Sequence, residues 1–357
     1  MKRLYIGSMN RHSGKTLLTL GLSIILKEMG HKIGYVKPLG NEPLIKAGKV
    51  VDANALFFKE ALGLDEPVEA LCPIVLTLDS MSTALSGKTR HTAERILKSI
   101  KSIKNKDILF ITGTSDLFEG SVFGTNGIRI IKETAAGAIM VEAWNNEETL
   151  DDIIGAKEIL GEKLDGIILN RVREDSQEFI KKKVKPFLKR HNIELLGTIP
   201  DDPLLKAVTV KALVNVLGGK VICAEDRLDG LVENFSIGAM DVDNALKYFR
   251  RTPNKAVITG AHRADIQLAA LDTSTKCIIL TGGLQPNDVI IGNARLKGVP
   301  IIIVNEDTYT AVERIEGILG KMKIREKEKL DRIRQLVGDN IDINGMLKKI
   351  GQKKEKG

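Results

Sequence analysis

The stretch from Gly7 to Thr16, GSMNRHSGKT, decides the fold because of what surrounds it. RLYIGS, which overlaps the first two residues of this stretch, forms a short apolar run of the kind that makes a buried strand. The residues from Gly14 onward place apolar side chains at helical spacing and stop at Gly30. The stretch is therefore predicted to be a loop between a strand and the N-terminus of a helix.

Such a loop has the parts that a phosphate chain requires. Phosphate oxygens need inward-pointing backbone N–H groups, the positive end of a helix dipole, a mobile ammonium and a hydroxyl for magnesium. Gly14, Lys15 and Thr16 provide these parts. The fit to the usual spacing G-x-x-x-x-G-K-T is partial, because its first glycine would fall at Met9 and Gly7 lies too early. We predict a nucleotide site, with an unoccupied loop as the alternative.

The predicted ligands of this loop are ATP, or another nucleoside triphosphate, and Mg²⁺. Lys15 is expected to act on the transferred phosphate, and Thr16 is expected to bind the metal. The residues expected to contact the nucleotide are Asn10, Arg11, His12, Ser13, Gly14, Lys15, Thr16 and Leu17.

Short apolar strands alternate with amphipathic helices along the rest of the chain, which is typical of a parallel sheet. The predicted strands that follow the first are KIGYVKP, DILFITG, AAGAIMVEAW, DGIILNRV and IELLGTIP. The glycine pair in LVNVLGGKVICAE marks a boundary before a second set of strands. We predict an α/β fold: a P-loop NTPase-type, doubly wound parallel sheet over residues 1–214, a smaller α/β domain over 215–320 and a basic helical tail over 321–357.

Composition favours a soluble protein of the cytoplasm. The 357 residues suggest two domains, and three cysteines without paired spacing indicate neither a disulfide framework nor a zinc site. No apolar run approaches the roughly 20 residues that a membrane span needs, and the N-terminus lacks a secretory pattern. We therefore expect a cytoplasmic protein that does not associate with membranes.

The net charge of +8 is concentrated in the tail. Residues 321–357 contain 12 Lys or Arg against 6 Asp or Glu, so the rest of the chain is nearly neutral. KIREKEKLDRIRQLV has a thin apolar stripe of Ile324, Leu330, Ile333 and Leu336, which predicts an exposed helix before a frayed KKEKG end. A solvated helix, or a dimer contact in a homo-oligomer, is the favoured interpretation. A nucleic-acid arm is disfavoured because aromatic residues for base stacking are scarce.

The early position of Gly7 is shared with dethiobiotin synthetases and cobyrinic acid a,c-diamide synthases, and further segments resemble the first family. IGYVKP is similar to its second-strand lysine motif, which implies that Lys37 serves a substrate carboxylate near the γ-phosphate. GIILNRV and LLGTIPDDPLL resemble its adenine-binding segments, which implies contacts from Asn170 and from Pro200. For Lys37, a surface cap at a strand end is the alternative.

Transfer of phosphate also needs carboxylates beside the loop hydroxyl. The resemblance implies that Asp52 is one metal ligand, whereas an ordinary acid in the first turn of a helix is the alternative. The second acid would fall at the end of ILFIT, where Thr112 stands instead. Asp116 or Glu119 could replace it, or could be plain loop acids. We therefore expect nucleotide binding with, at most, a weak ATPase or an ATP-dependent ligase activity.

The second domain resembles the DRTGG domain. CAEDRLDG is similar to the motif that names this domain, with Leu228 and Asp229 in place of its Thr and first Gly. ITGAHRADIQLAAL is similar to its second recognisable stretch. The residues expected to contact a small ligand are Asp226, Arg227, His262 and Arg263. The alternatives are an acid–base pair that only holds a turn, and a histidine on a surface loop.

A synthetase-like P-loop domain followed by a DRTGG domain resembles the N-terminal regulatory half of long bacterial phosphate acetyltransferases. The acetyltransferase domain of those enzymes has no counterpart in these residues, so phosphate acetyltransferase activity is not expected.

Three functions are open at this point. The first is a nucleotide-binding sensor that takes small-molecule ligands and regulates an enzyme of acetyl-CoA metabolism in another chain. The second is an ATP-dependent synthetase that activates a carboxylate, and the third is a non-catalytic assembly protein. The architecture favours the sensor, and Thr112 argues against the synthetase.

Overall fold

The computed structural model describes residues 1–87, 91–319 and 327–352, which form two compact units. The first unit runs to Asp201 and also includes the helices at the C-terminal end of the chain. The second unit begins at Asp202. The first unit therefore ends before residue 214, the limit predicted for the first domain. The predicted tail belongs to the first unit wherever it is described.

The first unit is built on a parallel sheet whose strands are apolar and buried on both faces. The strands of this unit are β1 Lys2–Gly7, β2 Ile33–Val36, β3 Leu39–Gly40, β4 Pro43–Lys46, β5 Lys49–Asp52, β6 Ile74–Val75, β7 Ile108–Thr112, β8 Gly137–Ala143, β9 Leu164–Val172 and β10 Leu195–Pro200.

The strand order in this sheet is β10-β9-β8-β1-β7-β2, and every neighbouring pair is parallel. The order reverses at β1, because β2 and β7 lie on one side of it and β8 to β10 on the other. This confirms the predicted doubly wound α/β sheet. Ligands of such sheets bind outside the carboxyl ends of the strands at the point of reversal. The loop that follows β1 lies at this point.

Helices connect these strands. They are α1 Lys15–Glu28, α2 Ala53–Leu62, α3 Val68–Leu71, α4 Leu78–Leu85, α5 Thr92–Ser102, α6 Gly127–Thr134, α7 Thr149–Leu160, α8 Glu174–Phe179 and α9 Lys185–Arg190. A π-helical turn, Ile180–Val184, joins α8 to α9. Side chains cap several of the starts; Asp52, for example, accepts a hydrogen bond from the N–H of Ala55 at the start of α2.

The second unit has a smaller sheet with apolar clusters on both faces. Its strands are β11 Val208–Thr209, β12 Lys220–Cys223, β13 Leu231–Val232, β14 Asn234–Ile237, β15 Lys255–Gly260, β16 Thr275–Thr281 and β17 Ile301–Ile303. Its helices are α10 Pro203–Lys206, α11 Val210–Leu217, α12 Val242–Arg251, α13 Ala264–Leu271, α14 Asp288–Lys297 and α15 Thr308–Leu319. The strand order is β12-β17-β16-β15-β14, with β12 antiparallel to β17 and the other pairs parallel.

Helices α16 Lys327–Asn340 and α17 Ile343–Gln352 return to the first unit, where α16 packs against α1 and β10. Ile333, Leu336 and Val337 are buried there, and Gly21 of α1 leaves the space that Val337 fills. The prediction of an exposed helix is therefore wrong for α16: its apolar stripe is an internal contact. Ile324 and the KKEKG end lie outside the described residues.

A polar contact adds to this packing, because Arg334 donates to the carboxylate of Glu28 at 2.7 and 2.9 Å.

Among the described residues, no helix combines the length and the apolar character that crossing a bilayer requires.

We predict that Ile333→Ala lowers the free energy of unfolding of the first unit by about 2–5 kcal/mol, because it opens a cavity between α16 and α1. Urea unfolding followed by the fluorescence of Trp144, the single tryptophan and a buried residue of this unit, measures the change. Gln335→Ala on the exposed side of α16 should stay within about 0.5 kcal/mol. Equal effects of the two variants would contradict the packing of α16.

Candidate functional site

The loop between β1 and α1 has the backbone of a phosphate-binding loop. Gly14 has a φ of 113° immediately before α1 begins at Lys15, a conformation that L side chains rarely adopt. A Cβ atom at Gly14 would also lie 2.1 Å from Nδ2 of Asn170. Glycine is therefore required at this position for two separate reasons.

The loop is held by its own side chains. Ser8 Oγ and Ser13 Oγ both donate to the carbonyl of Asn10, at 2.5 and 2.9 Å. Asn10 Nδ2 in turn donates to Asp152 on α7 at 2.6 Å. These bonds give the loop a defined shape without a ligand.

Other loop residues of the predicted nucleotide site differ in exposure. Arg11 and His12 are exposed, Thr16 is half-buried in the first turn of α1, and Leu17 is buried. Arg11 and His12 are therefore the exposed basic residues of the loop.

Asn170 reaches the loop from the end of β9. Its side chain is buried, and its Nδ2 donates to the carbonyl of Ser13 at 2.9 Å. Asn170 therefore supports the backbone next to Gly14. Pro200 ends the neighbouring strand β10 at the same edge of the sheet. Adenine contacts from these two residues stay a prediction.

Lys15 is buried beneath the loop. Its Nζ donates to Ser8 Oγ at 2.5 Å and to the carbonyl of Ser115 at 2.6 Å. Burial lowers the pKa of Lys15 to about 8, against the opposing effect of nearby Glu142, Asp116 and Glu119. A bound phosphate would therefore meet an ammonium that is already desolvated.

Lys37 and Asp52 form a buried ion pair with an Nζ–Oδ2 distance of 3.1 Å. Asp52 also accepts from the backbone N–H groups of Glu42 and Ala55, at 3.1 and 2.9 Å. Both carboxylate oxygens of Asp52 are thus engaged within the protein. The surface-cap alternative for Lys37 is wrong, because the side chain is buried in this pair.

A chain of hydrogen bonds links this ion pair to Lys15. Asn41 Oδ1 accepts from Lys37 at 3.1 Å, Asn41 Nδ2 donates to Ser115 Oγ at 3.4 Å, and the carbonyl of Ser115 accepts from Lys15. The structure therefore links Lys15, which was predicted to act on the transferred phosphate, to Lys37, which was predicted to serve a substrate carboxylate near the γ-phosphate.

The acids after β7 shape their own loop. Thr112 is buried at the end of β7, with its hydroxyl 3.2 Å from that of Thr19. Asp116 accepts from the N–H groups of Phe118 and Glu119, and Glu119 accepts from the N–H of Ser115 at 2.8 Å. These acids act on Lys15 through charge, as its pKa shows. Among the residues that the structure describes, no three His, Cys, Asp or Glu side chains cluster as a metal site.

Glu142 is the site residue that sequence reasoning missed. It lies near the end of β8, beside β1, with only 1% of its surface exposed. Oε1 accepts from the backbone N–H of Met9 at 2.6 Å, and Oε2 lies 3.4 Å from the Ser13 hydroxyl, whose shorter bond is the one to the carbonyl of Asn10. Burial raises the pKa of Glu142 to about 7, and the hydrogen bonds and Lys15 oppose that rise. The available signal was a lone acid inside the apolar run AAGAIMVEAW.

In the second unit, the predicted ligand residues lie at opposite edges of the sheet. Asp226 and Arg227 follow β12, whose last residue, Cys223, pairs with the first residue of antiparallel β17. They therefore lie at the amino edge of the parallel strands. His262 and Arg263 follow the carboxyl end of β15. The structure does not bring the two pairs together.

The amino edge of this sheet carries an open groove of about 570 Å³ between the end of β12 and the end of α14. Asp226 and Arg227 form an exposed ion pair at its rim, at 3.2 Å. Across the sheet, Arg263 pairs with Asp265 at 3.0 Å and donates to the carbonyl of Met240 at 2.9 Å. Asp226 and Arg227 therefore line the groove, whereas His262 and Arg263 do not.

We predict that Asp52→Asn lowers the free energy of unfolding by about 3–5 kcal/mol without any ligand, because it leaves Lys37 buried and unpaired. Asparagine still caps α2, so the loss isolates the ion pair. The double variant with Lys37→Met should recover much of the loss in urea unfolding followed by Trp144. An unchanged stability combined with a loss of Mg²⁺-dependent binding would instead assign Asp52 to the metal.

Glu142 should make stability depend on pH. Because its pKa is raised on folding to about 7, its contribution is fully present below the ordinary pKa and is lost as pH rises through 7. Between pH 5 and pH 8, the stability of Glu142→Gln relative to the wild type should rise by about 2.5 kcal/mol. Urea unfolding at the two pH values tests this. Parallel pH profiles of the two proteins would show that Glu142 keeps an ordinary pKa.

Comparison with known proteins gives relatives for both parts of the chain. Residues 2–209 match the AAA domain family, and residues 212–318 match the DRTGG domain family. A phosphate acetyltransferase of Nitratidesulfovibrio vulgaris is 25% identical over 360 residues, which cover 95% of this chain and 50% of that protein. A phosphate acetyltransferase of Pseudomonas putida is 24% identical over 377 residues, covering 99% and 53%. The chain spans about half the length of the curated relatives it matches.

Two solved structures match the chain at low TM-scores. The cell division ATPase MinD of Pyrococcus furiosus is 20% identical with a TM-score of 0.35, and the match covers 57% of this chain and 85% of that chain. The CBS and DRTGG domains of Clostridium perfringens pyrophosphatase, solved with diadenosine tetraphosphate, are 19% identical with a TM-score of 0.30, covering 40% and 70%. Because the family match over residues 2–209 covers more than half of the sequence, the chain belongs to the AAA domain family, and it carries a DRTGG domain behind its P-loop domain.

Proposed function

We propose that this protein binds a magnesium nucleoside triphosphate, ATP in the first place, at the loop from Gly7 to Thr16. The observation that carries the proposal is the loop itself, which stands at the reversal point of the sheet with its left-handed Gly14 at the start of α1. Backbone N–H groups and a helix N-terminus at such a place favour phosphate. Lys15 adds a desolvated cation directly beneath the loop.

We further propose that binding serves regulation rather than efficient catalysis. Thr112 stands at the expected position of an acid, and Asp52 is occupied by Lys37 and two backbone N–H groups. Both features reduce the carboxylate oxygen available to Mg²⁺. The similarity to phosphate acetyltransferases over nearly the whole chain supports an enzyme of acetyl-CoA metabolism in another chain as the regulated partner. The DRTGG domain would take a second small ligand.

A second candidate is an ATP-dependent synthetase that phosphorylates a carboxylate. The network from Lys15 through Ser115 and Asn41 to Lys37 favours it, because two linked cations would stabilise the charge that develops on a transferred phosphate. A steady release of phosphate that increases with an added carboxylic acid would support this candidate over the sensor.

The test of nucleotide binding is a thermal-shift titration with Mg-ATP, Mg-ADP and GTP. ATP at one hundred times its Kd should stabilise the wild type by about 2.7 kcal/mol. Lys15→Ala should lose this stabilisation, whereas Lys98→Ala, at an exposed position on α5, should keep it. A phosphate-release assay on the same samples should show little turnover.

Three outcomes separate the candidates. Stabilisation that needs Lys15, without phosphate release, supports the sensor. Stabilisation with steady release supports the synthetase. An absence of any nucleotide effect would contradict the proposal and leave the assembly protein.

A further inference from the structure

The phosphate-binding loop already faces an anion of the protein's own. Oε1 of Glu142 accepts from the N–H of Met9, and Oε2 lies within 3.4 Å of the Ser13 hydroxyl. The carboxyl group is buried near the carboxyl end of β8, immediately beside β1. It therefore stands on the protein side of the loop, at the reversal point of the sheet.

An ionised carboxylate in this position conflicts with a bound phosphate. Loop N–H groups are the donors that a phosphate chain would use, and the N–H of Met9 is directed at Glu142. Keeping two anions ionised in one buried site has a large free-energy cost, which is why one of two neighbouring carboxylates has a raised pKa. Protonation of Glu142 would remove the repulsion while leaving an oxygen to accept from Met9.

We propose that Glu142 is a built-in competitor of the nucleotide: its ionised form holds the empty loop, and the nucleotide binds to the protonated form. Binding then takes up one proton from solvent. This inference rests on the proposed nucleotide site, and it adds a residue that determines the affinity of that site.

The charged groups around Glu142 place its titration near neutral pH. Lys15 on α1 favours the ionised form, and Asp152 on α7 disfavours it. Arg11 and His12 of the loop are exposed, and the β9 side chain that reaches the loop, Asn170, is uncharged. With burial as the largest cause, the pKa of Glu142 is about 7, so its charge changes between pH 6 and pH 8.

Titration calorimetry of Mg-ATP at pH 6.0 and pH 7.5 tests the proposal. Wild-type affinity should be about fourfold weaker at pH 7.5, where roughly three quarters of a group with this pKa is ionised. Glu142→Gln should lose most of this pH dependence, and should bind about fourfold more tightly than the wild type at pH 7.5. The titration of the nucleotide's own phosphates is common to both proteins and cancels in the comparison.

Two controls sharpen the result. Asp151→Asn removes an exposed carboxylate from α7, and it should keep a wild-type pH dependence because Glu142 and its neighbour Asp152 both remain. Repeating the wild-type titration at pH 7.5 in two buffers of different ionisation enthalpy should reveal proton uptake, which Glu142→Gln should lack.

The outcomes distinguish this inference from the proposed function. If Glu142→Gln keeps the wild-type pH dependence, or binds more weakly at pH 7.5, the competitor role is wrong while nucleotide binding stands. If neither protein binds ATP at pH 6.0, where the carboxyl group is mostly neutral, both proposals fail.

Discussion

The passage of the backbone from β1 into α1 at Gly14 is the constraint on which the site depends. With a φ of 113° and Nδ2 of Asn170 at the place of a Cβ atom, only glycine fits there. The same Asn170 amide donates to Ser13 and fixes the preceding peptide. The direction of α1, and with it the position of Lys15, follows from this single close approach.

Helix α1 is held at its start and along one face by different means. Its start is fixed by the loop, and its outer face is covered by α16, whose Val337 fits against Gly21. A segment that is distant in sequence thereby completes the core around the helix that carries Lys15. Burial of three apolar side chains of α16 is the main contribution, since a fully buried aliphatic side chain contributes about 1.5–3 kcal/mol.

The charged side chains of this site are buried, and each has a hydrogen-bond or ion-pair partner. Lys37 has Asp52, Lys15 has two oxygen acceptors, and Glu142 has the backbone N–H of Met9. Desolvation shifts the pKa of Lys15 downward and that of Glu142 upward, so both move toward neutral pH. Perturbed groups of this kind collect at functional sites, although buried ion pairs can also be purely structural. In the second unit, the two predicted ligand pairs lie at opposite ends of the parallel strands and do not converge on one site.

The sequence alone determined the α/β class, the P-loop between β1 and α1 and the DRTGG domain, because these depend on local periodicity and short motifs. Lys15 and Gly14 could be identified in this way, since their roles follow from neighbours in the chain. Tertiary structure decided what depends on distant segments. It placed the stripe of α16 against α1, joined Lys37 to Asp52, and brought Glu142 beneath a loop more than a hundred residues earlier in the sequence. An acid at the end of a strand and an amphipathic helix have the same sequence pattern whichever residues they contact. Strand order and packing determine those contacts, so the sequence pattern does not reveal them.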